Sequence, residues 1–257
     1  MEHLNQVSED VDFYHLTLLS DEGNMSDREP MFALRLLKQK ADKAMRKAGL
    51  EGIYVIEVQP LKNYPQKGEG RLLLAHVHGL GWKTRQPGDT ASGIRSTLGY
   101  DKLRRNQAWS CHFGADPIVV RHLTVERGCP SFWAAYLMKA PYGAKSRVPR
   151  KGHDGPIRKS EFKLRSTECR AELTMRLLEL FAQLPIFATI GGVGSGAAIL
   201  GRCKNRVKLW QAQRQAAWKK NGRKPVPAFD EDEFWRRTHR LRRARYLPFF
   251  VDGPTIC

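Results

Sequence analysis

Leu72-Leu-Leu-Ala-His-Val-His-Gly-Leu80 is an apolar run broken by two histidines with one valine between them. On a β-strand successive side chains point to opposite faces, so His76 and His78 share a face and Val77 turns away. Two imidazoles held on one rigid strand supply two ligands of a three-ligand metal site. The plain alternative is a pair of half-buried histidines on a sheet face. Upstream, Gly52-Ile-Tyr-Val-Ile-Glu-Val58 reads as another strand, and a polar Pro/Gly/Lys linker from Pro60 to Gly70 joins it to the histidine strand. So short a linker makes the two an antiparallel hairpin.

Glu57 is an acid inside an otherwise apolar strand, and such a group is costly to bury without a partner. Facing residues of antiparallel neighbours stand about 4.5–5.5 Å apart at Cβ. One carboxylate and two imidazoles can therefore hold one cation, provided the register sets Glu57 on the face of His76 and His78. Otherwise Glu57 pairs with a basic residue at a sheet edge.

Further out, Val11–Leu19 is rich in aromatic and β-favouring residues and reads as the first strand. Ser26 with Glu29 three residues later has the form of a capping box. A helix is expected from about Pro30 to Ala48, with Met31, Leu34, Leu37, Ala41, Ala44 and Met45 at helical spacing and Gly49 closing it. A short helix is expected around Ala91–Leu98, strands at Ala108–Phe113 and Pro117–Val125, and a helix around Ser131–Met138 ended by Pro141 and Gly143. Ala144–Lys163 is basic and rich in Pro and Gly, which predicts a loop. Helices are expected at Ser166–Leu184, Asn205–Lys220 and Glu231–Tyr246, the last two strongly basic and carrying Trp210, Trp218 and Trp235.

The 44 lysines and arginines against 26 acids give a net charge of +18, with arginine in the majority. That balance suggests a polyanionic partner, and guanidinium suits phosphate because it binds the oxygens in pairs. The five cysteines are scattered with no C-x-x-C, which argues against a disulfide framework and fits a reducing cytoplasm. The N-terminus lacks the basic and apolar regions of a signal peptide. Leu180 to Gly201 carries no charge, but Pro185 and the glycines interrupt it, so a buried helix followed by a loop is expected there rather than a membrane span.

An acid on one strand, a His-hydrophobe-His strand and a later helix bearing Tyr-x-x-Lys together resemble the HUH endonucleases. These include the rolling-circle replication initiators (Rep proteins) of plasmids and phages, with relaxases and some single-strand transposases as relatives. The matching residues are Glu57, His76-Val-His78 and Tyr136-Leu-Met-Lys139, and Phe13-Tyr-His-Leu-Thr-Leu18 is similar to the family's first motif. The resemblance spans roughly Val11 to Tyr142.

It implies a palm-like, RRM-like sheet and an Mg²⁺- or Mn²⁺-dependent nickase acting on a single-stranded or stem-loop DNA origin, with a host helicase and polymerase as partners. Glu57, His76 and His78 would bind the metal. Tyr136 would attack phosphorus to form a 5′-phosphotyrosyl intermediate, with Lys139, one helical turn on, assisting. Relaxases often place the tyrosine ahead of the histidines; here it follows them, as in the initiators. Tyr142 lies six residues from Tyr136 beyond Pro141, off the same helical face, so one nucleophile is expected. The rival of another class is a non-catalytic basic DNA-binding protein with structural histidines.

Gly191-Gly-Val-Gly-Ser-Gly196 has the look of a phosphate loop, but Ala197 and Ala198 stand where Lys and Ser/Thr are needed, which excludes a Walker A site and leaves a tight turn or a backbone contact to DNA. His15, His112 and His122 have no ligand spacing between them, which assigns them surface or core roles. Arg236, Arg237, Arg240, Arg242, Arg243 and Arg245 crowd one stretch interleaved with aromatics, a pattern suited to DNA phosphates. The expected architecture is α+β. A mainly antiparallel sheet of about five strands with flanking helices would occupy residues 1–165, and a basic, mostly helical region residues 166–257.

Overall fold

The computed structural model describes residues 11–26, 34–62, 72–99, 109–110, 115–123, 143–149, 162–168 and 187–220, with isolated positions at 137, 174, 177, 180, 181 and 184. Its elements in order are β1 (Val11–Ser26), α1 (Leu34–Lys47), β2 (Glu51–Lys62), β3 (Leu72–Thr84), α2 (Ala91–Thr97), β4 (Ile118–Leu123), β5 (Gly143–Pro149), β6 (Phe162–Glu168), β7 (Ile190–Val193) and α3 (Ser195–Lys220). This is the α+β class. Five strands, in the order β4-β1-β3-β2-β7, form a wholly antiparallel sheet. The β5-β6 hairpin joins the far end of β2 through two parallel pairs, Leu61 with Lys145 and Lys62 with Ser146.

One face of the sheet carries the main core. Tyr14, Leu16 and Leu18 of β1, Tyr54, Ile56 and Val58 of β2 and Ala75 and Val77 of β3 pack there with α1. The helix offers Leu34, Leu37, Ala41, Ala44 and Met45, the stripe its periodicity predicts. Its end is a Schellman turn. Gly49 adopts φ 65°, its N–H donates to Arg46 (3.0 Å), and the Leu50 N–H donates to Met45 (2.9 Å). Leu50 is then buried, which fixes where the chain re-enters as β2.

β1 is longer than expected because it bulges. Its register against β3 shifts between Leu19 and Asn24, beside His76, and Gly23 lies against the Ala75 carbonyl, where no Cβ fits. Residues 27–33 and the proposed Ser26/Glu29 box lie outside the described residues, save for Ser26, which ends β1. α2 forms where expected, with Thr90 Oγ1 accepting the Gly93 N–H at 3.0 Å.

Several expectations are corrected. The described part of Ala108–Phe113 is no strand: Trp109 is buried and Ser110 donates its N–H to Leu19 (3.1 Å). The basic Ala144–Lys163 stretch begins inside a strand and ends in another, because β5 and β6 are specified by pairing with each other and with β2 rather than by an apolar alternation. Ser166–Glu168 likewise belong to β6, while Thr174, Leu177, Leu180 and Phe181 are helical.

The glycine-rich segment is a strand, a turn and a helix start. Gly191 lies against the Tyr54 ring and Gly196 against the Gly52 backbone, both without room for a side chain, and Gly194 turns the chain at φ 59°. Ser195 donates its N–H (3.2 Å) and its hydroxyl to the Glu51 carboxylate, and Trp82 Nε1 donates to Ser195 Oγ at 3.0 Å. The C-terminal third thus adds β7 and α3 to the same sheet. Among the described residues, no helix is long and apolar enough to cross a membrane.

Candidate metal centre

The second face of the sheet holds the site. β2 and β3 pair antiparallel with Glu57 opposite His76 and Val55 opposite His78. Facing residues share a face, so the register gathers the acid and both imidazoles on the side away from the main core. Glu57 Oε2 stands 3.2 Å from His78 Nε2 and 3.6 Å from His76 Nε2, and the two Nε2 atoms are 3.0 Å apart. Three lone-pair donors converging this closely form a group able to hold a metal ion. Metal–ligand bonds of about 2.0–2.2 Å leave neighbouring ligands of one ion roughly 3–3.5 Å apart, so the spacing fits a single cation.

The surroundings orient the donors. Thr17 lies opposite His78 on β1, and its Oγ1 is 3.1 Å from His78 Nδ1. His76 Nδ1 is 3.4 Å from the Leu74 carbonyl. A proton on Nδ1 of each ring satisfies both contacts and leaves both Nε2 lone pairs inward, the arrangement by which outer hydrogen bonds fix ligating histidines. His15, on the same face, stacks on His78 at 5.4 Å between centroids with 23° between planes. His76 and His78 meet edge to face at 4.6 Å.

Apolar clusters flank the group along the sheet. Leu80, Trp82, Leu123 and Leu137, with Phe13, Ile53 and Val55 against them, lie on one side, and Leu19, Leu61, Leu72 and Leu74 on the other. They leave His76 4% and Glu57 9% exposed, while the His78 side chain, at 12%, is the more open of the two imidazoles. Water is thus largely excluded behind the donors, which strengthens their hold on a cation, and the approach lies over His78.

Of the sequence-predicted residues, the structure brings Glu57, His76 and His78 together. Tyr136 and Lys139 lie outside the described residues, as do Arg236, Arg237, Arg240, Arg242, Arg243 and Arg245. Leu137 is helical and buried in the cluster beside the site. Sequence reasoning missed Thr17 and set His15 aside. Both sit at alternate positions of the first strand, a signal that becomes readable only once β1 is known to be the neighbour of β3.

On the core face near the start of β1, Asp12 takes Arg85 Nε at 3.0 Å and His122 Nε2 at 3.4 Å. Tyr14, whose ring lies 5.2 Å from that of His122, has its phenol pushed above the ordinary range, first by burial and then by Asp12 and Asp89. The comparisons found no family model, no curated protein and no solved structure that matches this chain.

Proposed function

We propose that this protein is a metal-dependent DNA nicking and joining enzyme of the HUH type, acting as a rolling-circle replication initiator for a plasmid or phage. The observation that carries the reading is the convergence of Glu57, His76 and His78 on one sheet face, in the register a shared metal site needs. Its support is the order of the motifs, with Tyr136 and Lys139 downstream, and the charge of +18, which suits a nucleic-acid substrate.

Glu57, His76 and His78 would hold Mg²⁺ or Mn²⁺, which supplies polarisation of the scissile phosphate. Thr17 and the Leu74 carbonyl keep the imidazoles turned inward. In the proposed reaction the Tyr136 phenolic oxygen attacks phosphorus and loses its proton. The phosphorus–O3′ bond breaks, and the departing oxygen takes up a proton as a free 3′-hydroxyl. The phosphotyrosyl bond keeps the energy of the broken diester, so the reverse attack rejoins the strand. Lys139 favours the phenolate, which ordinary tyrosine, with a pKa of about 10, does not supply at neutral pH.

The test is incubation with single-stranded origin DNA and Mn²⁺, followed by denaturing electrophoresis. A covalent protein–DNA adduct is expected from the wild type and none from Tyr136→Phe. An adduct that persists in Tyr136→Phe overturns the nucleophile. Binding with no cleavage across candidate origins and metals would instead leave a non-catalytic DNA-binding protein.

A further inference from the structure

α3 packs on the sheet only at its beginning. Ile199 lies against the apolar cluster of β3. From Asn205 to Lys220, every side chain described is exposed except Val207 and Gln215, which are half-buried. Leu209 and Trp210 are 65% and 52% exposed. No acid occurs anywhere in the helix, while Arg206, Lys208, Arg214, Lys219 and Lys220 all reach solvent. Like charges one turn apart repel, and a helix without a buried face draws little from tertiary packing. Such an element is matched by a polyanion.

Its side chains narrow the choice. Arg202, Arg206, Trp210 and Arg214 recur every fourth residue and so form one ridge, with steps of about 6 Å along the axis. The Arg214 guanidinium lies 4.8 Å from the Trp210 ring centroid. Arginine forks suit phosphate oxygens, and an exposed indole offers a stacking plane that unpaired bases accept and a duplex, whose base faces are already stacked, does not. Leu209, Trp210, Ala212, Ala216 and Ala217 fall on one half of the circumference, but Arg206, Gln213 and Lys220 are interleaved among them. There is thus no continuous apolar side for a membrane surface or a second helix.

We infer that the Arg202–Arg206–Trp210–Arg214 ridge binds single-stranded DNA, its arginines on phosphates and Trp210 against a base; the choice of DNA as the polynucleotide rests on the proposed function. The ridge holds the strand independently of the metal and of cleavage.

Full-length protein in EDTA, titrated against fluorescein-labelled oligothymidylate at several salt concentrations, tests this by anisotropy. Arg206→Gln/Arg214→Gln should reduce the slope of log affinity against log salt by about 1.4, roughly 0.7 for each phosphate lost. Trp210→Ala should keep the slope and weaken binding roughly 5- to 100-fold, with Trp210→Phe recovering part of the loss. Lys43→Gln/Lys47→Gln, the same charge change on exposed positions of α1, should leave the slope near the wild-type value.

Equal losses in the α1 control would reduce the effect to net charge and overturn the inference. So would wild-type binding in every α3 variant of unchanged helicity by circular dichroism. Equal affinity for the annealed duplex with no effect of Trp210→Ala would overturn the single-strand assignment. Tighter binding to phosphatidylserine vesicles, lost in the same variants, would replace DNA with a lipid surface. Because EDTA removes cleavage from the measurement, failure here leaves the Tyr136 adduct test intact, and failure of that test leaves this one intact.

Discussion

Glu57 is the one carboxylate of a site whose other donors are imidazole nitrogens, and it sits between apolar clusters. Glu57→Gln keeps the shape and removes the charge, so Mn²⁺ affinity measured by titration calorimetry should fall by about 100-fold or more. A native-state ligand at a hundred times its Kd stabilises by about 2.7 kcal/mol. Mn²⁺ at a hundred times the wild-type Kd should therefore raise the melting temperature of the wild type by several degrees and that of Glu57→Gln only slightly. Thr17→Val removes the hydroxyl beside His78 Nδ1 while keeping the β-branched shape, and should weaken Mn²⁺ by roughly 10- to 100-fold with little change in apo stability. Glu57 and the two histidines were legible because an acid in an apolar strand and a His-x-His pair contradict their surroundings. Thr17 and His15 contradict nothing on β1, and periodicity is silent about which strands are neighbours.

At the level of elements, α1 was legible almost residue by residue, since its buried stripe is a property of one segment. β5 and β6 were not, since their sequences are basic and their partners are distant along the chain. β7 was hidden for another reason: Gly191 and Gly192 read as a loop, yet they are strand residues whose missing side chains admit the Tyr54 ring and the start of α3. Two glycines separate the effects of space and of backbone angle. Gly49 has nothing within 4 Å of a built Cβ but a φ of 65°, so Gly49→Ala should cost only about 1–2 kcal/mol. Gly196 has ordinary angles and the Gly52 backbone in the way, so Gly196→Ala should cost more, about 2–4 kcal/mol, because no flexible side chain can yield. Urea unfolding of the two variants gives the order directly.

Across the whole molecule, stability should have an alkaline limit set inside the core. Tyr54 donates to Asp42 Oδ1 at 2.7 Å and to the Lys38 carbonyl at 3.2 Å. Burial first, and then the Asp42 bond, hold its phenol protonated far above the ordinary tyrosine range. In the unfolded chain the same group ionises near its ordinary pKa of about 10. Above that point the native state binds more protons than the unfolded state, so stability is fully present below about pH 10 and is lost as pH rises further. Urea midpoints should fall through this window, and fall less steeply in Tyr54→Phe. The overall charge of +18 was legible as a statement about partners and the basic helix at Asn205–Lys220 as a segment, whereas its projection from the sheet needed the fold.

The outer edge of β2 is paired in two places, with β7 at Gly52–Val55 and with β5 at Leu61–Lys62. The Ile56 N–H still reaches Thr189 at 2.7 Å. Between these clamps, Val58 points its N–H outward with no strand described beside it, and Pro60 has none to offer. β3, in contrast, is laced to β1 and β2 along nearly its whole length. The chelate thus spans two continuously paired strands, with two donors on β3, which has a strand on either side, and one on β2, whose outer edge is held at both ends. Two imidazoles and one carboxylate held across that seam should rank Mg²⁺, Mn²⁺ and Zn²⁺ by intrinsic ligand preference, with Zn²⁺ bound tightest in titration calorimetry. Hydrogen exchange should be slow at Val77, whose strand is paired on both sides.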